Sequence, residues 1–284
     1  MIDNYPALLD IGSSLCRGDL YVGYQGSGNL SITNDGRVRS RYGYVAAAPK
    51  SNGKVSIKGS GQSRWNIFGD ASNGCPDAGL FIGCTANSNG DGGTALVNIE
   101  FPGLITVLSY VDAPSVTVGK SGTLTGNGHL EVLGYTAASQ TAKVFGTVAP
   151  TGPLVIEGNL DLKNAASSYP DTANTIFHVT PEGTDVLYVV VNEIGGGGLV
   201  TLGGRITVVM TGAFTVGQYF TLLHAQNGRS GTKFAFQSIM FMSGAGSPIC
   251  PVINYYDNPD PLNPFSEVVL TITSCLSSGG VDDP

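Results

Sequence analysis

Short segments in which apolar and polar residues alternate recur along the chain, with glycine between them. Each segment places two apolar side chains on one face of an extended backbone, because successive side chains of a strand point to opposite sides. Glycine supplies the tight turns that separate such strands. The segments occupy residues 29–32, 54–57, 115–118, 129–132, 153–156 and 159–162. The pattern therefore predicts many short strands, each with one buried face.

The spacing between these segments is irregular, which is typical of a solenoid whose turns accept loop insertions on one side. A two-sheet antiparallel sandwich also contains short alternating strands and is the alternative fold. We predict stacked parallel strands over residues 20–165. The side chains expected to point inward are Leu30, Ile32, Val55, Ile57, Val116, Val118, Leu154 and Ile156.

The last third of the chain contains the most continuously apolar segments, at residues 186–191, 199–210 and 219–223. A solenoid leaves unpaired backbone groups at its open end, and such an edge invites aggregation unless another element covers it. We predict a solenoid over residues 1–165, a C-terminal β module over 166–276 that caps it, and a disordered tail at 277–284. The capping module is expected to contribute most of the stability, because it buries more apolar surface per residue.

Three groups of motifs resemble the passenger domains of autotransporters. Residues 26–38 read G-x-G-x-L-x-I followed by G-x-V, and residues 55–61 read V-x-I-x-G-x-G. Residues 122–128 read G-x-L-x-G-x-G and are followed by G-T-V-A-P at 146–150, although Thr151 stands where these passengers have glycine after the proline. Residues 185–234 resemble the capping, or autochaperone, segment of that family.

This resemblance implies an all-β, right-handed parallel β-helix with a C-terminal cap. It also implies export across the outer membrane, display outside a bacterial cell, and a structural or adhesive role without enzymatic activity. We expect the targeting and anchoring parts to lie elsewhere, because residues 1–20 lack the apolar stretch of a signal peptide.

Composition and charge narrow the function further. The chain has 284 residues, of which 41 are glycine and 12% are charged, so helices should be scarce. The formal charge of −7 argues against general binding of nucleic acid. Residues 1–64 carry +4 and residues 65–284 carry −11, which suggests head-to-tail self-association into a filament. No apolar run approaches the ~20 residues of a membrane-spanning helix.

Five cysteines are present, and their positions favour disulfides over a metal site. None has the paired C-x-x-C spacing of a zinc site. We predict bridges between Cys75 and Cys84 and between Cys250 and Cys275, which require an oxidising compartment, and free buried thiols are the alternative. Cys16 is left over and is expected to be a buried thiol.

The search for catalytic chemistry finds scattered groups. Acids on one face of a β-helix would indicate a carbohydrate-active enzyme, which is the alternative function. The nearest approach to such a set is Asp112, Glu131, Glu157 and Asp161. The three histidines, His129, His178 and His224, lie far apart in unlike contexts. No nucleophile with its base and no phosphate-binding loop is recognisable, so we expect no enzymatic activity.

Asn87, Asn89 and Asp91 place oxygen donors at alternate positions before a glycine, as at the start of a calcium loop. The glutamate expected at the twelfth position is absent, since Asn98 stands there. A calcium ion is therefore the one candidate cofactor, and an ordinary turn is the alternative interpretation.

Two basic motifs are candidate binding sites for partners. Arg17, Gly18 and Asp19 form the tripeptide that host receptors of the integrin class recognise on mobile loops, and an ordinary turn before a strand is the alternative. Arg37, Arg39 and Arg41 alternate and would share one face of a strand. Such a face suits an acidic glycan, or else it is a solvated outer surface.

Overall fold

The computed structural model describes residues 7–11, 18–59, 63–85, 92–163, 172–231, 236–241, 249–258, 260, 262 and 264–275. Across these ranges the chain forms 27 β-strands, and the one helical element is a 3₁₀ turn at Ala71–Asn73. Most strands have three to seven residues and alternate buried and solvent-facing side chains. No helix in the described ranges is both long and apolar enough to cross a membrane. The predicted all-β class is confirmed.

The first sheet has ten strands. Its members in spatial order are β1 (Leu8–Asp10), β4 (Arg37–Ser40), β7 (Arg64–Phe68), β10 (Leu104–Ser109), β13 (His129–Gly134), β16 (Pro153–Glu157), β20 (Val186–Val190), β23 (Tyr219–Ala225), β27 (Phe265–Ser274) and β26 (Ile249–Asn258).

The second sheet has eight strands. They are β2 (Asp19–Val22), β5 (Tyr42–Val45), β8 (Gly79–Ile82), β11 (Val116–Val118), β14 (Thr141–Val144), β17 (Asn159–Asp161), β21 (Val200–Leu202) and β24 (Arg229–Gly231).

The third sheet has nine strands, with one short strand attached at its side. Eight of the nine follow one another from edge to edge: β3 (Ser27–Ile32), β6 (Asn52–Ile57), β9 (Thr94–Ile99), β12 (Gly122–Gly126), β15 (Thr147–Pro150), β18 (Asn174–Thr180), β22 (Arg205–Met210) and β25 (Phe236–Phe241). The ninth is the short β19 (Gly183–Thr184), which pairs with β18.

The chain visits the three sheets in turn, so each strand pairs with the strand about three places later in the sequence. From β1 to β25 these pairings between successive circuits are parallel, for example Leu30 with Val55 between β3 and β6 and Thr106 with Glu131 between β10 and β13, while the short β19 pairs antiparallel with β18. Parallel strands require a crossover between them, which here is provided by the strands of the other two sheets. The antiparallel sandwich alternative is therefore wrong.

The parallel pairing continues beyond the predicted domain boundary at residue 165. Strand β16 pairs with β20, β17 with β21 and β15 with β18, so each sheet crosses this point. The architecture changes only at the end of the described chain, where β26 and β27 form an antiparallel hairpin and β27 joins β23. The predicted tail, 277–284, lies outside the described residues.

The core is one cluster of buried apolar side chains that come from all three sheets. Of the eight residues predicted to point inward, seven are at most 3% exposed, and Leu30 is partly buried against the same core. Trp65 is fully buried, and its indole Nε1 donates a hydrogen bond to Ser40 Oγ at 3.0 Å. The inward positions are confirmed because a period of two fixes the face on which each side chain lies.

One of the two predicted disulfides is confirmed. Cys250 and Cys275 are bridged across the β26–β27 hairpin, with their Cα atoms 5.0 Å apart. The Cys75–Cys84 bridge is wrong: Cys84 is a free, buried thiol, and Cys75 is bonded elsewhere. Strand β8 lies between these two cysteines, and four extended residues span roughly 13 Å. That distance exceeds the ~7 Å over which a disulfide can form. Cys16 lies outside the described residues.

Candidate functional site

The outer face of the second sheet carries three stacked aromatic rings, which we call the aromatic ladder: Tyr21, Tyr44 and Phe81. The parallel register places them side by side on β2, β5 and β8. The ring centroids of Tyr21 and Tyr44 are 4.7 Å apart, and those of Tyr44 and Phe81 are 5.2 Å apart, with the planes nearly parallel. Each such pair contributes about 0.5–1.5 kcal/mol beyond the area it buries. The stacking therefore holds the three rings in fixed orientations, with Tyr21 46% exposed and Phe81 only 6% exposed.

A polar network lies beside the ladder and is built around Asp77. Its carboxylate accepts hydrogen bonds from the Tyr42 hydroxyl and from Arg41 Nη2, the latter at 2.6 Å. Arg41 Nε also donates to the Asp77 carbonyl at 3.3 Å, and the guanidinium carbon lies 5.0 Å from the centre of the Tyr42 ring. Three side chains from two sequence segments are thus held in one orientation.

These contacts change the pKa values of the tyrosines and of Asp77. Burial and the hydrogen bond to Asp77 raise the pKa of Tyr42. Burial, followed by the negative charge of Asp19, raises the pKa of Tyr44 to about 12. Burial alone would raise the pKa of Asp77, but the hydrogen bonds from Tyr42 and Arg41 outweigh it and lower that pKa. The tyrosines therefore stay neutral and Asp77 stays ionised at physiological pH.

A groove of about 370 Å³ adjoins this network, and we call it the Phe81 groove. Phe81 and Phe145 line it, and Thr117 comes from β11, which lies between their strands. One wall is the loop that contains Val111, Ala113 and Pro114 before β11. Its volume falls in the range of small-molecule sites, about 300–1,000 Å³.

Lys143 on β14 supplies a positive charge to the Phe81 groove. Its ammonium nitrogen lies 5.2 Å from the centre of the Phe145 ring, a cation–π arrangement. None of the ion pairs found among the described residues includes Lys143. Asp161, its neighbour on the next strand, accepts a hydrogen bond from the backbone N–H of Lys163 at 2.9 Å.

The three arginines predicted to share one face are divided between two places. Arg37 and Arg39 lie half-buried on β4 of the first sheet, and Arg39 Nη1 is 3.8 Å from Asp10 Oδ2. Arg41 follows β4 at the corner that leads to β5, where it binds Asp77. The sequence pattern did not foresee this separation, because the alternation continues through the corner.

The other predicted binding motifs lie largely outside the described residues. This holds for Arg17 and for the candidate calcium ligands Asn87, Asn89 and Asp91. Asp19 begins β2, where its carboxylate accepts a long hydrogen bond of 3.5 Å from the Tyr21 hydroxyl, and Gly18 directly precedes it. Within the ranges described, no three His, Cys, Asp or Glu side chains form a metal-binding group.

The structure brings two of the four candidate carboxylates together. Glu131 and Glu157 are register partners on β13 and β16 of the first sheet. Glu131 accepts a hydrogen bond from the Thr106 hydroxyl at 2.7 Å, and His129 Nε2 lies 3.5 Å from Glu157 Oε1. Burial, then repulsion from Glu131, raises the pKa of Glu157, while His129 acts in the opposite direction.

The remaining acids and histidines stand apart from this pair. Asp112 is exposed in a loop, and Asp161 faces outward on the second sheet. His178 Nδ1 is 2.9 Å from Asp185, and His224 Nδ1 is 3.1 Å from Glu267. The His224 contact joins two neighbouring strands, β23 and β27, and the His178 contact joins β18 to the residue that follows β19.

A second groove of about 390 Å³ lies next to His129. Phe101, Pro153 and Val155 line it, and the Phe101 side chain is 75% exposed. The Phe101 N–H donates to Asn127 Oδ1 at 2.8 Å, which fixes the loop that presents the ring. This groove is mostly apolar.

Sequence reasoning missed the aromatic ladder and the Phe81 groove. The alternation Tyr42-Gly43-Tyr44 was a signal that two rings share one outer face. The contacts that complete the site join residues 35 or 36 positions apart, such as Tyr42 and Arg41 with Asp77. Those contacts depend on the register between strands.

Comparison of the chain with protein-family models, with curated proteins and with solved structures finds no significant match in any of the three.

Proposed function

We propose that this chain is a right-handed parallel β-helix with a C-terminal β cap, and that it serves as a structural and adhesive element outside a bacterial cell. In this proposal it acts as a passenger-type stalk without enzymatic activity, and the outer face of its second sheet makes contact with partners.

The observation that carries the proposal is the order of strands in the three sheets. In each sheet the neighbours are strands that the chain reaches after visiting the other two sheets. A chain that repeats one circuit in this way winds as a solenoid, and parallel crossovers are right-handed in nearly all proteins. The first sheet has ten strands at a spacing of about 4.8 Å, so nine intervals give a length of roughly 43 Å.

Two further features support the proposal. The antiparallel hairpin of β26 and β27 continues the first sheet at its C-terminal end, which suits a cap. Its disulfide between Cys250 and Cys275 suits an oxidising extracellular compartment. The motif resemblance to autotransporter passengers supports export across the outer membrane.

The adhesive part of the proposal is supported by the outer face of the second sheet. Tyr21 of the aromatic ladder is 46% exposed, and its ring centroid lies 5.0 Å from that of Tyr24, which is 51% exposed. Exposed tyrosines beside a groove are typical of recognition surfaces, since a large rigid ring gains contact area at small entropic cost.

Small-angle X-ray scattering and a bead assay test the two parts of the proposal. The purified chain should scatter as an elongated particle, and beads coated with it should bind cultured cells or each other. Beads coated with reduced, denatured chain are the control. A compact scattering profile would contradict the stalk, and equal binding by both kinds of bead would contradict the adhesive role.

A carbohydrate-active enzyme is the second candidate, because Glu131 and Glu157 lie on one outer face beside the groove lined by Phe101. A carboxyl group with a raised pKa next to a second carboxylate is the arrangement that glycosidases use. Incubation with a panel of polysaccharides tests this candidate by release of reducing ends. If the chain releases reducing ends, and Glu157→Gln abolishes this activity while Glu182→Gln retains it, the enzymatic function would be favoured over the structural one.

A further inference from the structure

The Phe81 groove combines hydrogen-bonding groups with Lys143, which belongs to none of the ion pairs found among the described residues. We infer that it binds one acidic sugar residue of a glycan, with the anionic group of the sugar at Lys143. This inference names a class of ligand for the proposed adhesive function, and its biological role rests on that function. Whether the groove binds the sugar can be measured separately.

The shape of the groove suits a pyranose ring. The volume of about 370 Å³ is at the small end of ligand sites, as a single sugar residue with its substituents requires. Phe81 stacks on Tyr44 in the ladder and also lines the groove. Phe81 and Phe145 are 6% and 4% exposed, so they give the groove a small apolar floor rather than an open stacking face.

The charges of the groove favour an anionic ligand. The carboxylate of Asp77 is the negative group in its lining, and Arg41 and the Tyr42 hydroxyl already bind both of its oxygens. Lys143 takes part in none of the ion pairs seen in the described chain, and its register partner Asp161 accepts a hydrogen bond from the backbone N–H of Lys163. A carboxylate or sulfate of a sugar would pair with the Lys143 ammonium group.

The remaining polar groups suit the hydroxyls of the same sugar. Thr117 presents a hydroxyl between Phe81 and Lys143 in the register of the sheet, since its strand pairs with both. Asp77 is held in place by three hydrogen bonds to its side chain and backbone, so it is pre-organised to accept another from a sugar hydroxyl. An acidic sugar would therefore be held at both ends.

Isothermal titration calorimetry with three oligosaccharides of equal length tests the inference. The probes are a sulfated heparin tetrasaccharide, a carboxylated hyaluronan tetrasaccharide and neutral maltotetraose. We expect at least one acidic probe to bind about tenfold or more tightly than maltotetraose. Heparin carries sulfates as well as carboxylates, so tighter binding of heparin than of hyaluronan would assign a sulfate to Lys143, and equal binding would assign a carboxylate.

Two variants locate the binding, and each has a matched control. Lys143→Gln removes the charge and should weaken acidic binding about tenfold or more, whereas Lys54→Gln removes an exposed charge on the third sheet and should not. Ala113→Trp fills the groove from its exposed loop and should abolish binding. Ala137→Trp places the same bulk in the corresponding exposed loop before β14 and should leave binding intact. Circular dichroism and thermal melting confirm that each variant is folded.

Three outcomes would overturn the inference. The first is equal affinity for the acidic and the neutral oligosaccharides. The second is that Lys143→Gln and Ala113→Trp both bind the acidic oligosaccharides as tightly as the unsubstituted chain. The third is that the folded chain binds none of the three oligosaccharides. In each case the scattering profile and the bead assay remain independent readouts. A chain that is elongated and adhesive but shows one of these outcomes would reject the sugar site and leave the proposed function standing.

Discussion

Gly43 faces the indole of Trp65, and the space that a side chain on Gly43 would need is filled by that ring. A Cβ on Gly43 would be 2.5 Å from Cζ2 and 2.6 Å from Cη2 of the ring, closer than carbon atoms approach without a shift of one of them. Gly43 belongs to β5 of the second sheet, and Trp65 belongs to β7 of the first. The glycine therefore makes room in the core for the largest side chain of the chain.

Gly43→Ala should destabilise the fold, because the added methyl group forces the fully buried Trp65 out of its position. The expected loss in the free energy of unfolding is about 1–3 kcal/mol. Trp65 is the one tryptophan of the chain, so its fluorescence during urea denaturation reports the change directly. Gly26→Ala is the matched control, since a Cβ there meets no atom within 4 Å. Equal midpoints for the two variants would show that the contact is unimportant.

Removal of the Cys250–Cys275 bridge should destabilise the C-terminal hairpin. The bridge closes a segment with a sequence separation of 25, for which restriction of the unfolded chain contributes roughly 3 kcal/mol. The double variant Cys250→Ala with Cys275→Ala should therefore unfold at lower urea concentration than Cys84→Ala, which removes a free thiol. Peptide mapping without reductant provides the second measurement. Alkylation of Cys250 or Cys275 in the unreduced protein would contradict the assignment.

The stability of the fold should depend on the ionisation of Glu157. Burial and the Glu131 carboxylate raise the pKa of Glu157 in the folded chain, so the fold favours its protonated form. This contribution to stability is complete below the ordinary glutamate pKa, about 4.3. It is lost as the pH rises through the folded-state pKa.

Glu157→Gln should therefore gain stability relative to the unsubstituted chain as the pH rises from about 4 to 7. Urea denaturation across this pH range measures the difference. Glu182→Gln, at an exposed position, should show a constant difference. If the difference in unfolding free energy between Glu157→Gln and the unsubstituted chain also stays constant with pH, the pKa of Glu157 is not raised in the folded chain.

Leu222 should be more important for folding of the whole chain than a buried leucine further toward the N-terminus. Its side chain is fully buried on β23, next to the C-terminal hairpin, and Leu222→Ala should cost about 2–5 kcal/mol. In a solenoid each turn rests on its neighbour, so loss of a stable end should expose the rest. Leu124→Ala, in the middle of the third sheet, is the comparison, because Leu124 is also fully buried.

Limited proteolysis in urea measures which part of the chain is protected. Digestion of residues 172–275 before residues 18–163 in the unsubstituted chain would contradict the expectation that stability rises toward the C-terminus.

The amino-acid sequence by itself determined the strands and the faces that they bury. Val55 and Ile57, or Leu154 and Ile156, are two positions apart, and an extended backbone places such pairs on one side whatever the rest of the fold does. The Cys250–Cys275 bridge was predictable for a similar reason, since two strands joined by one loop lie side by side.

Only the tertiary structure decided which residues of different strands meet. Cys75 and Cys84 are close in sequence, but strand β8 carries them apart. Tyr42 and Asp77 are distant in sequence but share a hydrogen bond, and Glu131 and Glu157 become neighbours because the parallel register pairs them. Register in this fold depends on the length of each loop, and the loops differ from one circuit of the chain to the next. The local alternation of side chains carries no information about those lengths, so the aromatic ladder and its groove became visible only once the strands were paired.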